Sequence, residues 1–235
     1  RLKPSRKQAM PDPIAPAVNQ LPAAVIILVL MVVLGECYIA GSEANLWGGS
    51  DARVSFIRRV AFLPEVFQRA LTAGIWVPEL FVRLITYPFV HGSLMQAVFA
   101  CVFTLAMGKF VGEVLGNFAI ILIFFNSAIF AALGYAFFTD DTFPLFGGFP
   151  AAYGLIGAFT FVLFSRTVGI LSQQFLAFRL LAILMTINIT FALFQSGPAL
   201  WVAELSAAIT GFASAAIIHP SGVRLIINKF RSGRR

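Results

Sequence analysis

Residues 82–100 read VRLITYPFVHGSLMQAVFA. Arg83, His91, Ser93 and Gln96 are spaced along a loop that passes directly into an apolar run continuing to residue 113. A run of about twenty apolar residues spans a bilayer as a helix. A polar loop that ends in such a helix places side-chain donors and a titratable imidazole at the mouth of a membrane bundle. The fold follows from what flanks it.

Outward from this stretch the chain is 59% hydrophobic and 11% charged over 235 residues, with 26 phenylalanines. A soluble domain is roughly a quarter charged, so these charges cannot cover a soluble surface. The composition implies an all-α polytopic membrane protein. Apolar runs predict six spans, at about 22–40, 93–113, 117–138, 150–165, 174–195 and 199–218. Residues 22–218 then form one helical bundle, preceded by a basic, proline-rich segment (1–21) and followed by a basic tail (219–235). Residues 41–85 mix five arginines and four acids with apolar residues. This long outer loop is amphipathic over 55–72 and belongs in the interface rather than across it.

The net charge of +7 is concentrated at the ends: Arg1, Lys3, Arg6 and Lys7 before the first span, Arg224, Lys229, Arg231, Arg234 and Arg235 after the last. Basic ends beside spans put both termini in the cytoplasm and attract anionic lipid. They do not indicate nucleic-acid binding. Cys37 and Cys101 lie in apolar runs with no CxxC and no Cys/His cluster. No disulfide, metal or cofactor site is expected, and both cysteines read as buried small hydrophobes.

Small residues recur at helical spacing. Gly108, Gly112 and Gly116 fall on one face of the second span, and Ala207, Gly211 and Ala215 on one face of the sixth. Such stripes let helix backbones approach closely. Glu36, Glu113, Arg179 and Glu204 are ionisable groups in or near spans, where a charge at the bilayer centre costs roughly 2.5–3.5 kcal/mol. Glu36 falls near the outer end of its span, within reach of water. Glu204 and Arg179 fall near opposite ends of theirs, too far apart to pair. No chain of such groups crosses the membrane, so transport is disfavoured.

Arg83, His91, Ser93 and Leu94, in that order and spacing, resemble the rhomboid intramembrane serine proteases, whose outer loop ends in Trp-Arg and whose second span begins His-x-Ser-Leu-x-His-x-x-x-Asn. Val82 stands in place of the Trp. Glu113 and Gly116 resemble the family's Glu-x-x-Gly. FGGFPAAYGLIGAF (146–159) is similar to its Gly-x-Ser-Gly-x-x-x-Gly-x-x-Gly-Ala, and AAITGF (207–212) to its Ala-His-x-Gly-Gly-Phe. The resemblance covers about residues 22–218 and implies a rhomboid-like six-span bundle.

At the reactive positions the pattern departs. Aligned on Gly154 and Gly157, the nucleophilic serine falls at Phe149; aligned on Gly147 and Gly148, it falls at Pro150. No serine occurs from 128 to 164. The catalytic histidine falls at Ala208, and the oxyanion-binding His and Asn at Gln96 and Ala100. Serine hydrolysis needs a hydroxyl, a base within hydrogen-bond reach and oxyanion donors. The only histidines, His91 and His219, fall at opposite ends of spans. The resemblance therefore implies a pseudoprotease with no catalytic residue. Its glycine framework packs helices, its Phe149–Pro150 stretch plugs the former cavity, and Arg83 and His91 order the outer loop. The expected partners are transmembrane helices of other membrane proteins, with an accessory, assembly or quality-control role in a bacterial inner membrane. The other reading is a fixed structural subunit of a large membrane complex, such as an energy-transducing one, and residual proteolysis comes last.

Overall fold

The computed structural model describes residues 21–75, 77–166, 175–195 and 197–220. The basic segment before Leu21 and the basic tail after Pro220 lie outside the described residues. Nine α-helices are described: α1 Ala23–Glu43, α2 Ala52–Val60, α3 Pro64–Thr72, α4 Pro78–Thr86, α5 Leu94–Leu115, α6 Asn117–Phe138, α7 Phe149–Arg166, α8 Arg179–Gln195 and α9 Leu200–Ile218. A 3₁₀ turn, Tyr87–Phe89, joins α4 to the loop before α5. The architecture is an all-α membrane bundle. Helices α1, α5, α6, α7 and α9 are long and apolar enough to cross a bilayer, and α8 is a shorter apolar helix.

The centre of the bundle is α7, packed between α6 and α9. Its sequence explains its position. Ala151, Ala152, Gly154, Gly157 and Ala158 present little beyond backbone, and no charge occurs before Arg166. Small side chains on both partners let the axes approach: a β-carbon at Gly157 would sit 2.0 Å from the carbonyl oxygen of Ala208 on α9. By contrast, α1 and α5 are mostly lipid-facing, and from Arg179 to Phe194 on α8 only Met185 is buried.

The structure refines one expectation and corrects two others. The amphipathic stretch 55–72 is two helices, broken at Ala61–Leu63, because Pro64 bars helical geometry at the residue before it. There Phe62 pairs antiparallel with Leu145, through N–H···O contacts of 2.9 and 2.8 Å, tying the interfacial segment to the turn before α7. Gly116 does not continue the glycine face of α5. It ends that helix at φ 84°, ψ 172°, a conformation reserved for glycine, and reverses the chain into α6. Gly108 and Gly112 remain packing positions, against Val25 and against Ile120 and Pro22 respectively. Finally, Cys37 is exposed and Cys101 half-buried. Both line an apolar groove of about 300 Å³ between α1 and α5, so neither is a core residue.

Candidate functional site

The polar loop before α5 and the turn before α7 meet at the loop-bearing end of the bundle. Ser93 opens α5, its hydroxyl accepting the Gln96 N–H at 3.2 Å, while the Gln96 side-chain oxygen accepts the Gly92 N–H at 2.8 Å. This is close to the reciprocal cap of Ser-x-x-Gln before an apolar run, a signal present in the sequence. Gln96 is thereby committed to the helix start. Its amide nitrogen lies where a β-carbon on Gly147 would be 2.7 Å away, and Gly147 holds a φ of 100°. The FGGFP turn thus relies on glycine at 147 both for its backbone angle and for its clearance.

His91 is fully buried and reaches across to that turn. Its Nε2 accepts the Gly148 N–H at 3.0 Å. Its Nδ1 has no hydrogen-bond partner and lies 3.8 Å from Glu36 Oε1. Burial, and then the Arg53 guanidinium, lower the His91 pKa from 6.5 to about 4, so the imidazole is neutral at physiological pH and free to accept. Glu36 is itself buried and paired, correcting its expected exposure to water. Arg53 on α2 contacts Glu36 Oε2 at 3.0 Å, donates to the His91 carbonyl at 3.0 Å, and reaches Glu43 at 3.4 Å. Arg53 is one of five arginines in residues 41–85, and no spacing marks it as the one that folds inward. Arg83 donates instead to the Ala61 carbonyl at 2.8 Å, holding α4 against the break between α2 and α3.

Phe149 begins α7 with its ring centroid 6.3 Å from that of Phe103 on α5. Pro150 follows, buried, in the first turn, where its missing N–H costs no hydrogen bond. Ala100 and Gly148 line a cavity of about 10 Å³ together with Pro88, Thr104 and Phe124, room for about one water. Ala208 is 1% exposed, with its carbonyl against Gly157. Ala207, Gly211 and Ala215 lie on the buried side of α9, Gly211 facing the Gly154 carbonyl. At none of Phe149, Pro150, Ala208, Gln96 and Ala100 is there a side chain that can act as nucleophile or base.

A second polar cluster sits one turn from these positions. The Asn188 amide on α8 donates to the Tyr153 hydroxyl on α7 and, at 2.6 Å, to Glu204 Oε2 on α9. The buried Glu204 carboxyl therefore has an amide partner. Arg179 is the first residue of α8, about two and a half turns below Asn188. Hydropathy gives no sign of this pairing; it needs the rotation of three helices. At the mouth, Asp141 Oδ2 accepts the N–H of Ala199 at 2.7 Å, capping α9 with a negative group where the helix dipole favours one. Among the described residues no group of three His, Cys, Asp or Glu side chains could hold a metal ion.

A family model described as Rhomboid domain matches residues 78–221, more than half of the chain. No curated protein matches the chain.

Proposed function

The chain belongs to the rhomboid family of membrane proteins, and we propose that it is a member without protease activity that binds transmembrane helices of partner proteins. The observation that carries this reading is the closed contact of α7 with α9. Phe149–Pro150 and Ala208 align with the serine and histidine of the family's sequence pattern, and Gly157 meets the Ala208 backbone. The neutral His91 uses its Nε2 lone pair to accept the Gly148 N–H, which leaves it no free lone pair with which to take a proton from a nucleophile.

Support for helix binding comes from α8. Ile183, Ile187, Phe191, Leu193 and Phe194 are exposed on it, and few of its side chains are anchored in the bundle. In a bilayer, helix association depends on packing and polar contacts rather than on hydrophobic transfer. A thinly packed helix beside a close-packed core leaves room for a partner helix at that edge. The role that follows is that of an accessory, assembly or quality-control factor of a bacterial inner membrane.

Two measurements test the reading. A serine-directed fluorophosphonate probe should leave the protein unlabelled; specific labelling would refute the loss of activity. Cross-linking from positions 187 and 191 in native membranes should capture transmembrane segments of other proteins. Capture of lipid alone would refute helix binding, and one partner at fixed stoichiometry would mark a permanent subunit instead.

A further inference from the structure

At the C-terminal end of α1, facing away from the cluster around His91, a cavity of about 360 Å³ opens between α1 and α2. Tyr38 and Ser42, one turn apart on α1, form one wall. Ser55, Phe56 and Arg59, on one face of α2, form the other, and Asp51 closes the turn between them. The wall is built closely: a β-carbon at Gly48 would sit 1.9 Å from the Ser42 hydroxyl. Tyr38 packs against Phe56 and stacks on Trp47, each with ring centroids 6.2 Å apart, and the Trp47 indole N–H donates to the Tyr38 carbonyl.

The charges divide between the two faces of α2. Arg53, on the other face, is spent on Glu36 and Glu43. Among the described residues neither Arg59 nor Asp51 takes part in an ion pair. The cavity therefore offers one cation and one anion, both unpaired, flanked by serine hydroxyls and aromatic rings. Below it, Ile27, Met31, Leu34 and Tyr38 form an exposed stripe at helical spacing along α1, 55%, 46%, 67% and 54% accessible. The stripe runs from the bilayer interior to the cavity rim. Tyr and Trp at that depth are the residues that settle at headgroup level.

We propose that this cavity is a binding site for a zwitterionic phospholipid bearing a primary ammonium. Its phosphate is held by the Arg59 guanidinium and the serine hydroxyls, its ammonium by the Asp51 carboxylate, and an acyl chain lies along Ile27–Tyr38. Guanidinium–phosphate contacts are charge-assisted and directional, and a carboxylate lining the same cavity disfavours a headgroup that is only anionic.

The test is native mass spectrometry of the full chain with phosphatidylethanolamine or phosphatidylglycerol of identical acyl composition. The ethanolamine lipid should be retained in preference. Arg59→Ala should weaken it about tenfold, the loss of one charge-assisted contact, and Asp51→Asn should abolish the preference between the two lipids. Arg58→Ala, which changes an arginine outside the cavity, should leave binding unaltered. Equal retention of both lipids, equal losses from Arg58→Ala and Arg59→Ala, or displacement by soluble phosphoethanolamine at lipid-equivalent concentration would each overturn the proposal. The last outcome would show that the acyl stripe takes no part.

Discussion

Gly211 on α9 and Gly154 on α7 meet backbone to backbone: a β-carbon on Gly211 would lie 1.8 Å from the Gly154 carbonyl oxygen. No side-chain movement relieves such a contact, because the obstacle is main chain in the middle of a helix. The two helices are thus held at a separation that only glycine permits.

Gly211→Ala should therefore destabilise the bundle by about 3 kcal/mol or more, at the upper end of overpacking costs. Gly197→Ala, where nothing lies within 4 Å of the added carbon, should change stability by less than about 0.5 kcal/mol. Unfolding in detergent, followed by circular dichroism, measures both.

Phe149→Ser supplies a hydroxyl at a position that aligns with the nucleophile in the family's sequence pattern. It should yield neither fluorophosphonate labelling nor cleavage of a model transmembrane substrate, because Ala208 offers no base. Cleavage above the wild-type background would place the reactive centre elsewhere.

Arg53→Ala strands the Glu36 carboxylate, which is 6% exposed, and removes a donor from the His91 carbonyl. Breaking a buried pair from one side costs about 3–5 kcal/mol. Arg53→Ala combined with Glu36→Gln should recover much of that loss. If the double variant is as unstable as the sum of the two single ones, the pair is not coupled.

Acid should weaken the protein through His91. The unfolded chain takes up its proton near pH 6.5, the folded chain only near pH 4. Between those values the unfolded state binds more protons, so stability falls as pH is lowered from 6.5 to 4 and levels off below. The full loss is about 3 kcal/mol. Stability measured across this range should drop in the wild type, and the difference from His91→Gln should shrink correspondingly. Parallel curves would mean that His91 is not the titrating group.

Where five of the six predicted spans run, which face of the sixth carries small residues, and the absence of a serine from 128 to 164 were all legible in the chain as written. Each depends on one residue type at one position: transfer of an apolar side chain to lipid is a local property, and a missing hydroxyl is missing in any conformation. The break at Pro64 is equally local, because a proline disfavours helical geometry at the residue before it. Gly116 marks the limit, since fourfold spacing cannot distinguish a glycine that packs from one that turns the chain. Beyond that, tertiary structure decided the contents of the site. Glu36 took Arg53 from among five arginines, His91 found the Gly148 N–H fifty-seven residues away, and Glu204 met Asn188 rather than a cation. Such partnerships depend on how far each helix is rotated and how closely it approaches its neighbours. Those quantities come from the packing of the whole bundle and are not carried by any segment alone.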